Sequence, residues 1–166
     1  LSSSGVALVC CARDIIDERG RKLMRRAFPG KEETVQGGEA IRRSVRAGTN
    51  LIGEPAAVLM RADLIARTGV FNASNLYVID LDYWVRLLRH GRLAVIREPL
   101  CSFRVSRTAT STRIKSTQSR DFRDFLDRLG GDPQSGLSTG DLRRGRIRAV
   151  ANAWIRRLIY RVSLPR

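Results

Sequence analysis

Two carboxylates, Asp80 and Asp82, stand two residues apart in VIDLDYWVRLL, residues 78–88, where an apolar run meets what reads as a helix. Three kinds of chemistry fit that spacing. An aspartate that begins a helix can cap the free N–H groups of its first turn. Two carboxylates at the end of a strand can hold Mg²⁺ or Mn²⁺ through oxygen ligands against a diphosphate. A carboxylate at a helix N-terminus, kept ionised by the helix dipole, can also act as a general base. Asp82 has a simpler reading, because Arg86 lies four residues further on and the two can pair across one helical turn.

Other residues could join such a site. Trp84 falls one turn after Asp80 on the same helical face, where its ring could stack on a bound molecule or bury itself in a core. Gly53, Glu54 and Pro55 form a turn ahead of an apolar run. Arg104 and Arg107 open an Arg/Ser/Thr-rich stretch, residues 102–119, with the composition of a loop, and guanidinium groups there could grip phosphates in bidentate fashion. His90, the single histidine, sits at a helix end just before Gly91, where a cation suits the dipole. Cys10, Cys11 and Cys101 are odd in number and lack C-x-x-C spacing, which argues against a disulfide framework or zinc site and for a reducing cytoplasm.

The elements that must position these residues can be read from periodicity and punctuation. GVALVCCA (5–12) reads as a buried strand, and Asp17 to Gly20 in the polar segment after it has turn chemistry. A short helix is expected over 37–48, with Glu39 and Arg43 paired at i,i+4 and Gly48 as its stop. AAVLM (56–60) reads as a strand and RADLIARTG (61–69) as a helix of about two turns. NLYVI (75–79) reads as a strand, 80–91 as a helix, and LAVIREPL (93–100) as a strand that Pro99 ends. Strands alternating with helices imply an α/β layer. Two further helices, 119–131 and about 142–162, follow across the linker GDPQSGLSTG.

Composition limits the function classes. The chain has 166 residues, 43% of them hydrophobic, enough for one core, and no apolar run of transmembrane length. After Leu1 the chain turns directly into a strand, and sequence ahead of it is expected. The net charge of +15 invites a basic nucleic-acid-binding module, but no helix-turn-helix, RNP or zinc pattern accompanies it, and no nucleic-acid partner is expected. Only three of the 31 basic residues are lysine, and residues 139–166 alone carry eight arginines against one acidic residue. In that tail Ile147, Val150, Ala151, Trp154, Ile155, Leu158, Ile159 and Val162 recur at helical spacing. The stripe is expected to pack on the domain; its alternative is an interfacial helix on anionic lipid.

In combination, VALVCCARDIIDERG, NLIGEPAAVLMRADLIARTGVFN, VIDLDYWVRLLRHG and VIREPLCSFRVSRTATST resemble the C-terminal, acceptor-side half of a glycosyltransferase family 2 domain, over roughly residues 6–112. The resemblance implies a partial GT-A fold in residues 1–112, with 113–166 as a helical C-terminal extension. It implies transfer of a sugar, with inversion, from a nucleotide-diphospho-sugar donor to a saccharide or lipid-linked acceptor, as in the synthesis of cell-envelope polysaccharide. Asp80 then matches the family's catalytic base, with Ile79 where the family has Glu. Gly53, Glu54, Pro55 and Trp84 match the acceptor side, and Arg104 and Arg107 the donor phosphates, with Ser106 where the family often has His. A Mg²⁺ or Mn²⁺ cofactor is implied for the whole enzyme, with ligands mostly outside this chain, so the chain alone is expected to be inactive. A noncatalytic membrane-associated subunit is the remaining alternative.

Overall fold

The computed structural model describes residues 5–106 and 118–163, and side chains as far as Ile155. It is a mixed α/β fold organised around one long strand, β1 (Val6–Ile16). Nearly every side chain of β1 is buried, as expected of a central strand covered on both faces. β1 runs parallel to β5 (Arg92–Arg104) and antiparallel to β2 (Lys22–Arg26) and β4 (Val58–Met60) on its other side. The two-residue β3 (Thr34–Val35) pairs with the outer edge of β5.

Two strand expectations are corrected. β5 does not end at Pro99 but continues to Arg104, because Pro99 falls at a register break, with Cys11 opposite Ile96 and Ala12 opposite Pro99. A proline at an irregularity removes no ladder hydrogen bond that the strand needs. Residues 75–79 are not a strand. Residues 75–78 form turns leading into α3 (Ile79–Leu88), with Val78 at its N-cap, and no described strand pairs with them.

The helices build outward from the sheet. α3 buries Leu81, Tyr83, Trp84, Val85, Leu87 and Leu88, and packs against both β1 and α1 (Gly37–Ala47). α1 and α3 approach so closely that a Cβ on Gly37 would lie 1.9 Å from the Leu88 carbonyl oxygen. The Glu39–Arg43 pair forms at 2.9 Å, as its spacing predicts. α2 (Ala62–Thr68) packs on α3, and Arg86 Nη1 donates to the Thr68 carbonyl at 2.7 Å.

α4 (Gln118–Gly130) contributes Phe122, Phe125, Leu126 and Leu129 to the same core as Leu8, Trp84 and Leu93, so the helical extension and the sheet share one hydrophobic interior. α5 (Thr139–Ser163) lies against α1 and α4. Its first turn is held by reciprocal capping: Ser138 Oγ accepts from Asp141 N at 3.1 Å, and an Asp141 carboxylate oxygen accepts from Ser138 N at 3.0 Å.

The side of α5 that meets the domain differs from expectation. Leu142, Gly145, Ala149 and Ala153 are buried, and Asn152 Nδ2 donates to the carbonyls of Ala47 and Gly48 at 2.8 and 3.1 Å. The large apolar stripe points out instead: Ile147 is 63% exposed, Val150 43%, Trp154 67% and Ile155 55%. Small residues win this contact because they let two backbones approach, and a Cβ on Gly145 would lie 2.5 Å from the Val45 carbonyl oxygen. No helix among the described residues is long and apolar enough to cross a membrane.

Candidate active site

The site is built on the loop between α1 and β4 and on the first turn of α3. Asn50 shapes the loop: its Oδ1 accepts from the backbone N–H of Ile52 and of Gly53, both at 3.1 Å, and its Nδ2 donates to the Gly53 carbonyl at 2.9 Å. Gly53 has φ +137°, a region disfavoured for residues with a Cβ. The same carbonyl accepts from Trp84 Nε1 at 2.8 Å, which ties the loop to α3. Trp84 is fully buried. Of the two readings open for Trp84, a stacking platform or a core ring, its burial fits the core, and its N–H anchors the loop that carries Glu54 and Pro55.

Arg13 lies beneath this loop. It stands on β1 opposite Cys101 of β5, its Nη1 is 3.5 Å from the Ile52 carbonyl, and its Nε is 2.5 Å from Glu54 Oε2. A Cβ on Gly53 would lie 3.2 Å from Arg13 Nη1, so the missing side chain makes room for the guanidinium. Cys11 and Cys101 sit beside it with their sulfurs 4.0 Å apart, and burial pushes the Cys101 thiol up, with Cys11 adding to the effect. Sequence reading passed over Arg13 because it opens a polar segment. The signal was there: Cys11, Arg13 and Ile15 alternate on one buried face of the strand.

Asp80 is the second residue of α3, not its cap. The cap position is Val78, and Asp82 N donates to the Val78 carbonyl at 2.8 Å. Among the described residues none donates a hydrogen bond to the Asp80 carboxylate. Burial raises its pKa, and the negative charge of Glu54 raises it further, to about 6. Asp80 is thus a half-buried carboxyl that exchanges its proton near neutrality, a property suited to a general base.

Asp82 faces elsewhere. It pairs with Arg86 at 3.2 Å, as its spacing predicts, and lies 3.7 Å from Arg128. Positions two apart on a helix point roughly 200° away from each other, so Asp80 and Asp82 cannot converge on one ion. No group of three or more His, Cys, Asp or Glu suited to a metal occurs among the described residues. The carboxylates of residues 80 and 82 therefore do not fit a divalent-ion site.

The remaining expected residues are spread out. Glu54 is half-exposed and Pro55 exposed, at the mouth of the loop. Arg104 is exposed at the far end of β5, where its Nη1 donates to the carbonyls of Asp17 and Glu18, both at 3.0 Å, and so braces the β1–β2 turn. Arg107 lies outside the described residues. His90 is exposed just past the end of α3.

No family model matches the chain, and no solved structure matches it. An uncharacterized protein of Mycobacterium tuberculosis (strain CDC 1551 / Oshkosh) is 32% identical over 82 residues, 49% of this chain and 24% of that protein. The chain thus spans about a quarter of the length of the curated relative it matches.

Proposed function

We propose that this chain is the acceptor-side half of an inverting glycosyltransferase of the GT-A kind, with Asp80 as its general base. One observation carries the reading: Asp80, a half-buried carboxyl without a hydrogen-bond donor among the described residues, stands in the first turn of α3 and within the field of Glu54, on a loop that Trp84 and Arg13 tie to the helix and the sheet. Asp80 would accept the proton of an acceptor hydroxyl as that oxygen attacks the anomeric carbon of a nucleotide-diphospho-sugar. The new C–O bond forms on the face opposite the leaving group. The bond from that carbon to the phosphate oxygen breaks, and the nucleoside diphosphate departs with the electron pair.

In this reading Glu54 and Pro55 line the approach of a saccharide or lipid-linked acceptor. Gly53 and Trp84 act on that approach only by fixing the loop. The donor nucleotide, the Mg²⁺ or Mn²⁺ ion and the phosphate contacts are not assigned to residues described here, and Arg104 supports the hairpin instead. A cytoplasmic location, where nucleotide-sugars are available, belongs to the same proposal.

The test is transfer from UDP- and TDP-sugars by the whole protein that carries this chain. Asp80→Asn is expected to lower kcat by about 10²–10⁴-fold with little change in donor affinity, because the amide keeps the shape but cannot take a proton. Turnover that survives the change, or donor affinity that collapses with it, would remove Asp80 from the role of base.

A further inference from the structure

We propose that the outward face of α5 is a docking surface for a membrane containing anionic lipid. The proposal stands apart from the transferase reading and rests on how the helix is mounted. At about 100° per residue, the buried positions 142, 145, 149 and 153 fall on one side of the helix and the exposed apolar residues Ile147, Val150, Trp154 and Ile155 on the other. The domain holds α5 by its small residues and presents its large ones to the outside.

Charge identifies the occupant. Arg143, Arg144 and Arg148 are exposed alongside the apolar face. The acidic residue of α5, Asp141, is buried, lies 3.6 Å from both Arg42 and Arg46, and caps the first turn, so it does not offset those arginines. Arg146, by contrast, is paired with Asp127 at 2.5 Å and belongs to the packed side. An apolar strip containing tryptophan and bordered by arginine fits the boundary between lipid headgroups and acyl chains, where the apolar residues sink about 5–10 Å and the cations meet phosphates. A second copy is a poorer occupant. Two such faces laid together in parallel would set Arg143, Arg144 and Arg148 of one copy against the same arginines of the other.

The experiment is co-sedimentation of the 166-residue chain with vesicles of phosphatidylglycerol mixed with phosphatidylcholine, against phosphatidylcholine alone. Binding is expected to need the anionic lipid and to weaken as salt rises, because exposed charges are screened beyond about 8 Å at physiological ionic strength. Neutralising two arginines, Arg143→Gln with Arg148→Gln, should weaken binding about 30-fold. Trp154 emission should shift to the blue on binding, and the Trp154→Phe chain should lose that shift, since Trp84 is already buried. Ile155→Asp should abolish binding while leaving the melting temperature unchanged, because Ile155 is exposed.

Equal binding to both vesicle types would overturn the role of the arginines and with it the proposal. So would an absence of binding to either. A concentration-dependent dimer formed without lipid and abolished by Ile155→Asp would assign the face to a second copy and overturn it as well.

Discussion

Arg13 Nε lies 2.5 Å from Glu54 Oε2, with the Arg13 side chain 2% exposed and that of Glu54 26%. Neither atom has a well-aligned hydrogen bond, so the contact is one of charge against charge. It joins the central strand to the loop facing Asp80. Removing one member of such a pair leaves the other charge partly buried and uncompensated. Arg13→Ala should therefore cost about 2–4 kcal/mol, somewhat less than a fully buried pair because Glu54 retains some water. Urea unfolding measures this, and the double variant Arg13→Met with Glu54→Leu should recover much of the loss. A single-variant cost below about 1 kcal/mol would mean that water already solvates the guanidinium.

The raised pKa of Asp80 predicts a stability that falls as pH rises. Its carboxyl has a pKa of about 6 in the folded chain against an ordinary 3.8, so the folded state holds the proton more tightly than the unfolded state. The sign follows: the favourable contribution is complete below the unfolded value, declines as pH rises towards about 6, and is absent above it. At pH 8 the ionised carboxylate weakens the fold. Asp80→Asn should thus raise stability at pH 8 by about 1–2 kcal/mol, after allowing for partial solvent screening, and change it little near pH 3.5. Thermal melts of both chains at the two pH values check this. Equal destabilisation at both would make Asp80 a structural anchor.

Glu54 should govern where Asp80 titrates. Burial is the larger cause of the raised pKa and Glu54 the second, so Glu54→Gln should move it down from about 6 without restoring the ordinary value. Carbon chemical shifts of the Asp80 carboxyl across pH report this without any substrate. With Asp80 as the proposed base, the acidic limb of the pH–rate profile for sugar transfer should move to lower pH by the same amount. An unmoved titration would show that Glu54 is too well neutralised by Arg13 to act on Asp80.

Gly145 should prove intolerant of a methyl group. A Cβ there would meet the Val45 carbonyl oxygen at 2.5 Å and a Leu126 methyl at 3.2 Å, and neither backbone can yield without separating α5 from α1. Gly145→Ala is expected to destabilise by about 1–3 kcal/mol despite the higher helix propensity of alanine. Gly140→Ala is the matched control: its Cβ would meet only Ser138 Oγ, at 3.6 Å, and it should be neutral or slightly stabilising. Calorimetric melts of the two variants should diverge. If both stabilise, the helix contact is looser than described.

The strand from Val6, the helices near 37–48, 61–69, 80–91 and 119–131, and the ion pairs Glu39–Arg43 and Asp82–Arg86 were all legible in the sequence. Each depends on neighbours within about four residues, where periodicity, glycine stops and charge spacing act directly. Asp80 was legible as a carboxylate at a helix start for the same reason. Its elevated pKa was not, because that comes from burial and from Glu54, which is distant in sequence and brought near by the fold.

Long-range contacts decided the rest. Residues 75–79 had strand-like composition, yet in the fold no described strand pairs with them and they lead into α3, whose N-cap is Val78. Arg13 opens the polar segment after the first strand, and its burial comes only from β5 and the Asn50–Pro55 loop lying against it. The tail stripe promised a core contact on hydrophobicity alone. What chose the opposite face was backbone proximity: α5 can sit on α1 only where Gly145 and Ala149 leave room, and that shape, which no local pattern encodes, left Ile147, Val150, Trp154 and Ile155 outside.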